Sequence, residues 1–266
     1  VSQIDLRLGR WQDVLADMAD GSVRLLLTSP PYDNARTYEG THKGPVDFGE
    51  LGRFALRVLC PGGVLAMVLD GAVNDGEQSI TPYRVICDWA ALDGWRFRQF
   101  LIYGRGGTPG AWHGWFRRDH EPLLIFVRDG AREVCAKERV AARVPVYRSG
   151  GMGYRANGTR RAQDRERTAD VTNRGSIWWY GPGGRHLHSN LGHPAPFAEA
   201  FALDAVTVWS NPGDLVCDPY SGAGTVARAC KVLGRGFVGA EVVPRYHAIA
   251  QRRLAEMAQR ALLEAP

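Results

Sequence analysis

The chain has 266 residues, 45% hydrophobic and 23% charged, proportions that suit a large folded domain and exclude a mostly disordered polymer. No apolar run approaches the roughly 20 residues of a membrane span. Val1 to Arg10 lacks the basic-then-apolar pattern of a secretory leader, and Cys60, Cys87, Cys135, Cys217 and Cys230 form no close-spaced pair, so a reduced, cytoplasmic protein without a membrane partner, disulfide framework or zinc cluster is expected.

Taken in order, residues 4–8 alternate like a short strand, and Trp11 to Ala19 read as an amphipathic helix with Trp11, Val14, Leu15 and Met18 on one face. Val23 to Thr28 form a continuous apolar strand stopped by Ser29-Pro30-Pro31-Tyr32. Phe48 to Leu59 are helical in pattern, Pro61-Gly62-Gly63 end that helix, and Val64 to Leu69 follow as a buried strand. Thr81 to Leu92 predict a helix, and Arg96 to Tyr103 and Leu123 to Arg128 predict two strands joined through the glycine-rich stretch Gly104 to Gly114. His120-Glu121, just before the second of these strands, reads equally as structural or as the rim of a pocket.

From about Ala131 to Asn190 the apolar periodicity fades and arginines crowd in. The formal net charge of the chain is +5, and all but Lys43, Lys137 and Lys231 of its 33 basic residues are arginine. Residues 131–190 carry twelve cations against five anions, a surplus of +7 that leaves −2 for the remainder. A codon bias would spread arginine evenly. Its concentration in one stretch points to a polyanion-binding surface, for which the guanidinium fork suits phosphates and guanine edges. Trp178-Trp179-Tyr180 beside it read either as base-stacking rings or as an apolar anchor of this stretch. Order then returns with helices over Phe197 to Trp209, Val226 to Leu233 and Arg245 to Leu263, and strands at Leu215 to Cys217 and Gly236 to Glu241. Strands alternating with helices imply an α/β domain with a mostly parallel sheet covered on both faces.

Two segments carry chemistry. Leu215 to Ala227 run strand, glycine turn, helix, and Gly222, Gly224 and Ala227 fit G-x-G-x-x-A. Such a turn brings backbone N–H groups and a helix N-terminus to a ligand, and Glu241, ending the next strand, suits the two ribose hydroxyls of an adenosine cofactor. The turn does not say which cofactor, and a nicotinamide-dependent oxidoreductase is the competing reading, although a dinucleotide fold usually opens with this turn rather than reaching it near residue 220. The second segment is Ser29-Pro30-Pro31-Tyr32. Two prolines fix φ twice and remove two donors, leaving a rigid stub of carbonyl acceptors, one hydroxyl and one ring at a strand's C-terminal end, where open α/β sheets place ligands. That chemistry suits methylation of an exocyclic amine: the Ser29 hydroxyl and Pro30 carbonyl accept from its two hydrogens, and Tyr32 stacks on a base drawn out of the duplex.

Thr28-Ser29-Pro30-Pro31-Tyr32 resembles the catalytic motif of amino-methylating DNA methyltransferases. Asp218-Pro219-Tyr220-Ser221-Gly222-Ala223-Gly224-Thr225 resembles their S-adenosylmethionine motif, and His193-Pro194-Ala195-Pro196-Phe197 the segment that closes over the methionine end of the cofactor. The order of these parts is that of the circularly permuted β-class. The resemblance implies a class I, Rossmann-like methyltransferase fold with a seven-stranded sheet, in which the strand ending at Glu241 neighbours the N-terminal one. It implies catalytic roles for Ser29, Pro30, Pro31 and Tyr32, and cofactor contacts from Thr28, Pro194, Ala195, Phe197, Asp218, Pro219, Tyr220, Ser221, Gly222, Gly224, Thr225 and Glu241, with Asp218 receiving the cofactor's amino group. Residues 1–130 and 191–266 would form the two parts of the catalytic domain, and 131–190 the target-recognition region, with Arg143, Arg148, Arg155, Arg160, Arg161, Arg165, Arg167 and Arg174 on double-stranded DNA. A serine in the catalytic motif favours cytosine N4 over adenine N6 as the acceptor, and pairing is common in this class, so a homodimer is one expected assembly, in a bacterial or phage-infected cell. One departure stands out: Gly9-Arg10 occupies the place of a Gly-Asp pair whose acid lies near the adenine, so either Asp13 substitutes or packing and backbone hold that ring. No metal is expected, since His186, His188 and His193 have no acidic or cysteine neighbour at ligand spacing.

Overall fold

A computed structural model of the chain describes residues 3–32, 46–74, 77–105, 119–136, 175–180 and 198–263. Among these residues the strands are β1 (Ile4–Leu8), β2 (Val23–Thr28), β3 (Leu59–Val68), β4 (Val73–Asn74), β5 (Glu77–Gln78), β6 (Trp95–Arg105), β7 (His120–Arg128), β8 (Ile177–Tyr180), β9 (Leu215–Asp218) and β10 (Gly236–Glu241). The helices are α1 (Trp11–Val14), α2 (Phe48–Val58), α3 (Thr81–Ala90), α4 (Glu199–Trp209), α5 (Thr225–Leu233) and α6 (Pro244–Leu263).

Eight strands form one sheet in the order β1-β10-β9-β2-β3-β7-β6-β8, and β4 and β5 pair separately. β7 runs antiparallel to β3 and β6, and the remaining neighbours in the sheet run parallel. β1 lies beside β10, with Leu8 opposite Glu241, as the motif order implies. The apolar strands are unbroken in sequence because both faces are covered. Val64, Ala66 and Val68 pack with α4 and α5 on one face, and the intervening Leu65, Met67 and Leu69 pack with α1, α2 and α3 on the other.

The eighth strand corrects the expected count of seven. β8 comes from Trp178-Trp179-Tyr180 and pairs in parallel with the end of β6. Trp178 stacks on Trp209 at 5.1 Å between ring centroids, and the Tyr180 hydroxyl donates to Asp204 at 2.8 Å. Gly104 makes room for Trp179, whose ring lies 2.2 Å from where a β-carbon at position 104 would stand. These rings anchor the strand to the core. Residues 131–136 also pack on the domain, with the Ala136 amide donating to the Val208 carbonyl at 2.8 Å.

Two boundaries moved for identifiable reasons. The helix expected from Trp11 to Ala19 stops at Val14, where Arg7 donates to the Val14 carbonyl that a further turn would use; beyond it Arg57 donates to the carbonyls of Ala16 and Met18. Its apolar face is nonetheless kept, with Trp11, Leu15 and Met18 buried. Pro61-Gly62-Gly63 do not separate helix from strand. They lie inside β3, as a bulge that sets Leu59 opposite Val23 and Val64 opposite Leu25.

Candidate active site

The chain order reverses between β9 and β2. From β9 the path runs through α5 to β10 on one side, and from β2 through α2 to β3 on the other. A crevice at the C-terminal ends of two such strands is where open α/β sheets bind ligands, and both chemistry-bearing turns issue there. They are joined directly, since the Thr28 hydroxyl donates to Asp218 Oδ1 at 2.8 Å, across 190 residues of sequence.

Asp218 is buried, and burial pushes its carboxyl up from an ordinary 3.8 to about 7 against the hydrogen bonds from Thr28 and the Tyr220 amide. Both of those bonds fall on Oδ1, so among the described residues Oδ2 is left for an outside donor. Ser221 ties the turn down by donating from its hydroxyl to the Asp218 carbonyl at 2.9 Å and from its amide to Ala240. Gly224 caps α5 in the left-handed region at φ 73°, and a β-carbon there would stand 2.7 Å from that of Ala250. The glycine therefore answers a close crossing of α6. Arg253 of α6 locks the same turn, donating to the Ala223 carbonyl and, at 2.7 Å, to Glu199 of α4.

Glu241 accepts from the Gly222 amide on one oxygen at 2.8 Å and from the Val243 amide on the other at 2.7 Å. Its carboxyl is raised, chiefly by burial. Tyr220 accepts from the Trp11 indole at 2.9 Å, and burial pushes its hydroxyl up to about 12. Trp11 is thus a site residue that reads in sequence as ordinary helix core. Asp13 and Arg10 are exposed on or beside α1, with no side-chain cap from Arg10.

Beyond β2, Pro30 is buried and Ser29, Pro31 and Tyr32 are half-buried. The Ser29 and Tyr32 hydroxyls lie 3.1 Å apart, and the Tyr32 hydroxyl donates to Glu121 at 3.2 Å. Glu121 is a buried residue of β7, so of the pair His120-Glu121 the acid lies against the Tyr32 hydroxyl, whereas His120 is exposed beside Asp119. Pro219, Ser221, Gly222 and Thr225 all sit in the turn opposite. Pro194, Ala195, Phe197 and the eight arginines from Arg143 to Arg174 lie outside the described residues, as do His186, His188, His193 and most of Gly104 to Gly114. Among the described residues no cluster of His, Cys, Asp and Glu could hold a metal, and no helix is long and apolar enough to cross a membrane.

The site therefore offers a buried acid with one open oxygen, a second acid one strand away, and a stub of amine acceptors beside them. A family model described as DNA methylase, of the N6/N4 type, matches residues 23–252. The chain belongs to this family. It is an amino-methylating DNA methyltransferase dependent on S-adenosylmethionine. Among curated relatives, the orphan methyltransferase M.BamHII of Bacillus amyloliquefaciens is 28% identical over 251 residues, covering 90% of this chain and 91% of its own length. The type II methyltransferase M.HpaI of Haemophilus parainfluenzae is 24% identical, over 90% of this chain and 70% of its own. A putative DNA modification methylase from Thermus thermophilus, solved with S-adenosyl-L-methionine, superposes with a TM-score of 0.62 at 26% identity over 96% of this chain and 94% of that one. The cytosine-N4-specific PvuII DNA methyltransferase shares the fold at a TM-score of 0.69 and 17% identity, over 95% and 86% of the two chains.

The donor set fits the family's cofactor. An ammonium group matches Asp218 Oδ2, the oxygen without an internal bond among the described residues, and a cation there would offset the cost of ionising a buried carboxyl. The Glu241 oxygens each hold one amide and retain a lone pair for a hydroxyl.

Proposed function

We propose that the protein transfers a methyl group to the N4 amine of cytosine in double-stranded DNA. S-adenosylmethionine supplies an electrophilic methyl group when bound. The observation that carries the reading is the bond between Thr28 and Asp218, which seats the acceptor stub of Ser29-Pro30-Pro31-Tyr32 directly against the cofactor turn. Asp218 holds the cofactor's ammonium group, Glu241 its ribose hydroxyls, and Tyr220, braced by Trp11, closes one side. Pro194, Ala195 and Phe197 cover the methionine end. The exocyclic amine is a poor nucleophile because its lone pair is delocalised into the ring. Ser29 Oγ and the Pro30 carbonyl would accept its two hydrogens and draw the nitrogen towards tetrahedral geometry, freeing its lone pair for the methyl group that the cofactor would supply. Tyr32 packs on the base after it leaves the duplex.

Residues 131–190 are the target-recognition region in this reading, with Arg143, Arg148, Arg155, Arg160, Arg161, Arg165, Arg167 and Arg174 on phosphates and base edges. The serine in the catalytic motif supports cytosine, and the reaction belongs to the cytoplasm of a bacterial or phage-infected cell. Expression in a methylation-free host followed by sequencing for modified bases tests it. N4-methylcytosine at one recurring site is the expected result. N6-methyladenine would refute the base assignment and leave the reaction class intact, and unmodified DNA would refute both.

A further inference from the structure

The three groups Ser29, Tyr32 and Glu121 form a line of hydrogen bonds that leads away from the acceptor stub into the sheet. Tyr32 follows β2, Glu121 belongs to β7, and β3 lies between those strands, so the tyrosine reaches over one whole strand to meet the acid. The inward end of the line is a carboxylate, which only accepts. Tyr32 has a single hydroxyl proton, and that proton is given to Glu121 at 3.2 Å. The 3.1 Å contact between Tyr32 and Ser29 must then be made with Ser29 as donor. The proton of Ser29 is thereby committed to Tyr32, and both lone pairs of Oγ remain as acceptors. The alternative orientation would be damaging. A Ser29 hydroxyl turned towards the exocyclic amine would donate to the lone pair that has to attack.

We propose that Glu121 is a positioning residue that fixes Ser29 as a hydrogen-bond acceptor and takes up, through Tyr32 and Ser29, the proton that the methylated amine gives up. The inference rests on the reaction assigned above. After methyl transfer the amine nitrogen carries one proton too many. That N–H bond breaks and its electron pair stays on nitrogen, while a new O–H bond forms on Ser29. The original Ser29 proton passes to Tyr32, and the original Tyr32 proton passes to Glu121 Oε2. Both hydroxyls end as they began, the base is neutral, and the net change is one proton on one carboxylate. No oxidant, metal or further reactant enters.

Single-turnover methylation of duplex DNA with labelled cofactor tests the relay in four proteins beside the wild type: Glu121→Gln, Tyr32→Phe, the double variant, and Glu121→Asp. An amide can hold Tyr32 in place but cannot take its proton. The Gln and Phe variants are each expected to slow the transfer step about a hundredfold, the lower edge of what positioned proton transfer contributes, with dissociation constants for cofactor and DNA unchanged. Because both act on one line, the double variant should be no slower than the slower single one, and Asp should recover part of the rate. A Gln variant at the wild-type rate refutes the relay, and so does a double variant whose loss is the product of the two single losses. Should the Gln variant fail to fold, the same cycle built on Glu121→Asp with Tyr32→Phe decides by the same rule. A wild-type protein that labels no DNA refutes the assigned reaction and the relay together, whereas wild-type labelling with an unslowed Gln variant refutes the relay alone.

Discussion

Replacing Asp218 with asparagine should separate stability from binding in opposite directions. The carboxyl is raised from 3.8 to about 7 by burial. A folded-state value above the unfolded one means that the group favours folding when protonated and opposes it when ionised. Its unfavourable contribution therefore sets in as pH rises above about 4 and is complete once pH passes 7. Three units at about 1.4 kcal/mol each give roughly 4 kcal/mol. The amide of asparagine keeps Oδ1 for Thr28 and Tyr220 and places its NH2 where Oδ2 stood, so it escapes the ionisation cost without losing either bond. Relative to the wild type, the ligand-free variant should gain about 2–3 kcal/mol of stability between pH 5 and pH 8, measured by urea denaturation at both values. The variant should also lose cofactor binding in a calorimetric titration, because an NH2 group now faces the ammonium. A stability difference that stays constant from pH 5 to pH 8 would refute the argument, whatever its absolute size.

In the wild type, cofactor binding should weaken as pH falls below about 7, approaching tenfold per unit, since Asp218 must release a proton before it holds a cation; titration calorimetry in two buffers of different ionisation enthalpy would register that proton. Gly224→Ala should cost about 1–3 kcal/mol through the left-handed φ and the crossing of α6 at Ala250, read as a lower urea midpoint with an unchanged slope. Tyr180→Phe should cost about 1–2 kcal/mol by removing the hydroxyl that donates to the buried Asp204, again by denaturation, without altering the affinity for cofactor. Neutralising Arg160, Arg161 and Arg165 together should weaken DNA binding and reduce the slope of log affinity against log salt by up to about 3 in a filter-binding series, while cofactor affinity stays unchanged.

The parts of the molecule that were legible in its sequence are those where one physical cause acts alone. β2, β10 and the helices beside them follow from apolar runs and turn residues, and the two motifs were placed on the correct strand ends. What escaped depends on residues far apart in sequence. The turn that follows α1 is held by Arg57, on another helix. The bulge in β3 becomes a strand only because Val23 and Leu25 pair on either side of it. The purpose of Gly224 lies in Ala250. Glu121 carried a signal, an acid at the start of an otherwise apolar strand, but its partner Tyr32 stands 89 residues earlier, and no local spacing connects them. Trp11 was visible only as one more apolar residue, because its bond to Tyr220 spans 209 positions.

The rings of β8 have a consequence for the basic stretch of chain that leads up to them. The chain enters the basic stretch after Ala136, held at Val208, and returns at Trp178, stacked on Trp209. Both ends are thus fixed at neighbouring residues of one helix, and β8 lies at the opposite edge of the sheet from β1 and β10. Doubling the length of a segment closed in this way costs only about 0.6 kcal/mol. A change in the length of chain between Ala136 and Trp178 is therefore cheap for the fold, which holds its two flanks at Val208 and Trp209.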